Sequence, residues 1–163
     1  MLDVVFQNTT DDKSFRKDLF EKIIKVGITE LGLDTKNIDI SINLVGEEKI
    51  RELNKKYRNK DQVTDVLSFP MLKDSNLETR DKKQVKSEIL VSGRLSLVAD
   101  IGDIFICLPF AKKEAKSENI DIDRKLAQLT VHGFLHLMGY DHELSKLDAE
   151  KMSGLEKRIL KNL

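Results

Sequence analysis

The stretch HGFLHLMGYDH, His132 to His142, dictates more local structure than any other part of the chain. His132 and His136 stand four residues apart, which on a helix puts both imidazoles on one face, one turn from each other. Gly139 accepts the left-handed conformation that ends helices, so the chain can reverse through Tyr140 and Asp141 and bring His142 back to the same point. The chain contains no other histidine. Three neutral imidazoles suit one zinc ion, at zinc–nitrogen distances of about 2.0 to 2.1 Å, and leave a fourth tetrahedral position for water, as catalytic zinc sites do. A lone HxxxH pair would read as ordinary helix histidines; the third histidine, placed behind a glycine stop, changes that weighing.

The spacing is also that of the zinc-protease pattern HExxHxxGxxH, with Gly133 where the glutamate stands. In those proteases the glutamate carries the proton of the attacking water to the leaving amine. Glycine has no side chain for this, which counts against peptide hydrolysis. Asp141 reads either as a carboxylate that orients a ligating histidine or as a turn former. No protein base is evident; Asp141 and Glu143 are the candidates. Cys107 is the single cysteine. It reads as a small buried residue of a strand rather than a fourth ligand.

Around this stretch the hydrophobic pattern switches between two periods. Alternation in Asp3 to Gln7, and in Asn37 to Leu44 with Ile38, Ile40, Ile42 and Leu44 on one face, predicts half-buried strands. Between them Phe15, Leu19, Phe20, Ile23, Ile24 and Ile28 recur at helical steps. Gly46 opens a second helical pattern, EEKIRELNKKY, acidic at its start and basic at its end, with Ile50, Leu53 and Tyr57 expected to point inward. TDVLSFP and GDIFIC read as short strands, the first stopped by Pro70. Three helices are expected after Pro109: Phe110 to Glu118, Asp123 to Met138, and Ser145 to Leu160. The polar run from Lys73 to about Ser87 predicts a surface excursion, followed by a small hairpin around Ser92-Gly93 within Glu88 to Asp100. The mixture lacks regular βαβ alternation and predicts an α+β fold with one small mixed sheet in a single domain, residues 1–163.

Composition sets the remaining bounds. Lys+Arg and Asp+Glu both total 28, so the net charge is zero and no global field draws in nucleic acid or membrane. No apolar run approaches the roughly 20 residues of a spanning helix. The start, MLDVVFQN, lacks the regions of a signal peptide, and a cytoplasmic location is expected.

Any affinity for RNA must therefore be local, and NKKYRNKDQVTDVLSFP, Asn54 to Pro70, supplies a basic patch in Lys55, Lys56, Arg58 and Lys60. Taken with GDIFIC and HGFLHLMGYDH in that order, it resembles the YbeY family of bacterial metal-dependent endoribonucleases over most of the chain. The resemblance implies a zincin-like α+β fold, one zinc ion held by His132, His136 and His142, and an important arginine at Arg58. It further implies hydrolysis of single-stranded RNA in ribosomal RNA maturation and ribosome quality control, with the ribosome or its proteins as partners. Arg58 is chemically apt, because a planar guanidinium can meet two phosphate oxygens as charge develops on them. Lys55, Lys56 and Lys60 are expected to hold flanking phosphates, and Thr64, Asp65 and Ser68 to line the groove or to cap and end local structure. The stretch from Lys73 to Asp100 is longer than the family pattern suggests. Two rivals are carried forward: a ribosome-associated binding protein with a structural zinc, and a zinc peptidase or amidase.

Overall fold

Two segments with strand alternation, separated by one amphipathic helix, form the first unit of the sheet. The computed structural model describes residues 2–33, 38–71 and 99–163. Strand β1 (Leu2–Asn8) leads through helix α1 (Lys17–Glu30) to strand β2 (Ile38–Val45), and the two strands pair in parallel from Leu2 against Ile38 to Asn8 against Leu44. Parallel neighbours need a crossover connection, and α1 is that connection. Helix α2 (Glu47–Arg58) follows, then strand β3 (Val66–Pro70) and strand β4 (Ala99–Cys107). Strand β4 pairs in parallel with β2 and antiparallel with β3, giving the order β1-β2-β4-β3. Helices α3 (Leu108–Glu118), α4 (Ile122–Leu137) and α5 (Lys146–Lys161) complete the described chain. The α+β class and the small mixed sheet are as the sequence predicts. The expected excursion and hairpin lie outside the described residues, apart from Ala99 and Asp100, which begin β4.

The core explains why α4 is so firmly placed. It packs against α1, α3, α5, β3 and β4. Ten of its residues are buried, from Lys125 to Leu137. Fully buried Leu or Phe side chains such as Leu126, Phe134 and Leu135 each contribute about 1.5–3 kcal/mol relative to exposure. Close approach is part of this packing: a Cβ added at Gly27 of α1 would lie 2.8 Å from the Phe134 ring. The Asp121 carboxylate accepts a hydrogen bond from the Asp123 amide at 2.9 Å and caps the start of α4, as Ser145 caps α5 by accepting from the Asp148 amide at 3.1 Å. Among the residues of α4 that stay partly accessible are Gln128, His132 and His136, one row at four-residue steps. The histidines thus occupy the solvent seam of an otherwise buried helix.

Two expectations need correction. Strand β2 is buried on both faces rather than one: Ile40, Ile42 and Leu44 join the main core, while Asn43 and Val45 are covered on the other side. The cause is its central position, with β1 and β4 on either side and Val45 packed into a second cluster with Ile50, Leu67 and Cys107 beneath α2. Tyr57 does not point inward with Ile50; it is 57% exposed. It sits in the last turn of α2, where it lies against Phe69 of β3 and lines an open cleft.

Candidate metal centre and cleft

Helix α4 ends in a hydrogen-bonded reversal that positions the third histidine. Gly139 adopts φ +80°, its amide donates to the His136 carbonyl at 3.0 Å, and the Tyr140 amide donates to the Leu135 carbonyl at 3.0 Å. This pair of bonds is the Schellman motif, which satisfies terminal carbonyls by placing a residue, usually glycine, in the left-handed region. The Asp141 carboxylate then accepts from the Glu143 amide at 2.9 Å, so the turn-forming role open to Asp141 in the sequence is one it fills.

The result is convergence. The ring centroids of His132, His136 and His142 are separated by 4.7, 5.2 and 5.2 Å, and one nitrogen from each ring lies within 4.8 Å of the others. Two nitrogens on a tetrahedral ion at about 2.0–2.1 Å stand roughly 3.3 Å apart. The Nε2 atoms of His132 and His136 are 3.2 Å apart. The donor set therefore fits a metal ion.

Glu156 of α5 completes the arrangement: its Oε1 lies 2.8 Å from Nδ1 of His132. A carboxylate there favours the proton on Nδ1 and leaves the Nε2 lone pair directed at the shared point. Burial, reinforced by the charges of His132 and His142, holds the His136 pKa below its ordinary 6.5, which favours the neutral, ligating form. Gly133 has a different task from the protease glutamate. It is buried, and a Cβ there would lie 3.0 Å from Cγ2 of Ile104 on β4, so position 133 serves helix–sheet contact.

The histidines form one wall of a cleft of about 600 Å³. Val66 to Pro70 of β3, the last strand of the described sheet, also line it. The Cys107 amide donates to the Asp65 carbonyl, and the Met71 amide to the Ile101 carbonyl. By the alternation of an antiparallel pair, the main-chain groups of Ser68 therefore face away from β4. The end of α2, with Tyr57 and Arg58, lines it as well. Asn59 in the left-handed conformation, φ 56°, stops that helix. Thr64 and Asp65 also line the cleft, and the Asp65 carboxylate accepts from the Thr64 hydroxyl at 3.0 Å and the Val66 amide at 2.8 Å, bracing the entry to β3.

The sequence-predicted residues are thus only partly gathered. His132, His136, His142, Arg58, Thr64, Asp65, Ser68, Asp141 and Glu143 share the cleft. Lys55, Lys56 and Lys60 are exposed and do not line it. Lys55 pairs with Asp61 at 3.0 Å beside Arg51 at 2.7 Å, and these two cations hold the Asp61 carboxyl below the usual range. Cys107 is fully buried, and burial pushes its thiol pKa up, consistent with a packing role. Glu156 was not foreseen. Its signal lay in α5, where a carboxylate falls on the stripe formed by buried Met152, Leu155 and Ile159.

An α+β domain with a three-histidine cluster in a cleft that also holds an arginine defines the class, a candidate metal-dependent hydrolase. The Endoribonuclease YbeY family model matches residues 5–163. The chain is 40% identical over 151 residues to the endoribonuclease YbeY of Sulfurihydrogenibium sp. (strain YO3AOP1), covering 93% of this chain and 83% of that one. It is 38% identical over 165 residues to that of Oenococcus oeni, covering 98% and 95%. In fold it resembles the solution structure of TM1509 from Thermotoga maritima, with a TM-score of 0.55 and 23% identity over 98% of this chain and 90% of that one. The chain belongs to the YbeY endoribonuclease family.

Proposed function

We propose that the protein is a zinc-dependent endoribonuclease that hydrolyses single-stranded RNA, acting in the cytoplasm on ribosomal RNA during its maturation and in ribosome quality control. The observation that carries this reading is that Arg58 and the three histidines, from elements far apart in sequence, line one cleft. A phosphodiester under attack gathers charge on its non-bridging oxygens, and the Arg58 guanidinium can meet two of them at once. His132, His136 and His142 would hold the ion, with Glu156 keeping the His132 proton on Nδ1. Zinc, when bound, supplies a Lewis acid and brings the pKa of water towards about 7. Asp141 and Glu143, which line the cleft together with Asp65, are the candidates to receive a proton from the attacking water. An RNA leaving group is an alkoxide, so the chemistry does not demand the amine-protonating glutamate that position 133 lacks. Lys55, Lys56 and Lys60 lie outside the cleft, where they can meet phosphates further along the strand in a salt-dependent manner.

The experiment is metal quantification on the purified protein followed by incubation with single-stranded RNA, duplex RNA and casein. Zinc near one equivalent, cleavage of single-stranded RNA alone, and loss of that cleavage with retained zinc in Arg58→Ala are expected. Zinc with ribosome co-sedimentation but no RNA cleavage would favour a ribosome-associated binding protein instead, and casein cleavage a peptidase.

A further inference from the structure

Tyr57 is one of the few large hydrophobic side chains left open among the described residues, at 57% exposure. Its ring is nevertheless braced. The centroid lies 5.0 Å from that of Phe69 at a 59° tilt, and Phe69 stands 5.8 Å from Phe105 of β4 at 73°. The exposed ring is thus backed by a second one that is itself seated on the sheet. An aromatic held in this way offers a flat surface without a large ordering cost when a partner stacks on it.

Its surroundings identify the partner. Tyr57 and Phe69 line the same cleft as the three histidines, and Arg58 is the next residue along α2. The Nζ of Lys56 lies 5.1 Å from the Tyr57 centroid, so a cation accompanies the ring. The Ser68 main-chain donor and acceptor face away from β4, and Ser68 lines the same cleft. Planar aromatic surface, adjacent cations and an amide pair together match a nucleotide better than a peptide side chain. We infer that Tyr57, backed by Phe69, is the stacking platform for one unpaired nucleobase of the RNA, next to the phosphate that Arg58 engages. A base inside a duplex is already stacked on both faces and cannot use it, so the platform makes strand state a condition of binding. This rests on the RNA-directed reading above, and its test is a binding measurement that does not require cleavage.

The zinc-loaded full chain is titrated with a single-stranded 2′-O-methyl oligoribonucleotide carrying one 2-aminopurine, whose fluorescence reports stacking, and with the same sequence as a duplex. Binding of the single strand with a fluorescence change is expected. Tyr57→Ala should weaken that binding about tenfold and remove the change, with zinc content unaltered, and Tyr57→Phe should restore both. With cleavable RNA the same Tyr57→Ala loss should appear in KM rather than kcat. Equal affinity and equal fluorescence response in Tyr57→Ala and the parent overturn the platform, whether or not the parent cuts RNA. A parent that shows the stacking response but never cuts RNA supports the platform and overturns the hydrolytic reading; a parent that binds no single strand overturns both.

Discussion

The Oε1 atom of Glu156 sits 2.8 Å from Nδ1 of His132, linking the last helix to the seam of α4. Such a carboxylate fixes both the tautomer and the ring angle of a ligating histidine, and removing partners of this kind typically weakens metal binding by about 10–100-fold. Glu156→Ala should therefore weaken zinc binding towards the upper part of that range. Glu156→Gln keeps an acceptor but not the charge, and its loss should be nearer tenfold. Competition with a chromophoric chelator measures both. Unchanged affinity in Glu156→Ala would remove this role.

Gly139→Ala tests the reversal that returns His142. A non-glycine residue at φ +80° pays about 1–2 kcal/mol for the left-handed conformation. The alanine variant should lose about that much stability, read as a lower urea midpoint. It should also bind zinc more weakly than the parent, because relaxation of the turn moves the third imidazole away from the first two.

Gly133→Ala separates packing from chemistry. Ile104 is fully buried and cannot retreat freely from a Cβ at 3.0 Å. Overpacking of this kind costs about 1–3 kcal/mol, against a gain of about 1 kcal/mol in helix propensity. A net destabilisation of roughly 1 kcal/mol is expected, with zinc stoichiometry unchanged. A stabilised variant would mean that α4 and β4 are less tightly opposed than the 3.0 Å approach implies.

His136 gives the pH dependence. Its pKa in the folded chain lies below 6.5, so between that lowered value and 6.5 the unfolded chain binds more protons than the folded one. Stability of the metal-free protein should therefore fall as pH drops from about 7 to about 5, and His136→Gln should flatten that fall. Urea midpoints of chelator-treated protein across this range provide the check. A parent whose midpoint rises on acidification would contradict the sign.

Local signals carried much of the architecture. The three histidines, Gly139 and the helical repeats lie within single segments, so spacing alone places them, and the α+β class follows from the mixture of periods. The relationships that failed were all between segments. Nothing in the alternation of Ile38 to Leu44 reveals that β2 takes a neighbour on each side, and nothing in the hydropathy of Tyr57 reveals that its ring lines an open cleft beside Phe69 rather than the core. Glu156 escaped because its partner is in another helix, so sequence spacing gives no clue to the pair. The ion pair of Lys55 with Asp61, six residues on across the turn after α2, is likewise not revealed by spacing.

His132, His136 and His142 belong to one short run of chain, so denatured protein still offers the same trio of imidazoles close together. Zinc added during unfolding would then grip both ends of the equilibrium, and the rise in melting temperature should be smaller than the affinity of the native centre alone would deliver. What the denatured run lacks is the helical spacing and the Glu156 contact, and those fold-dependent parts set the stabilisation that remains.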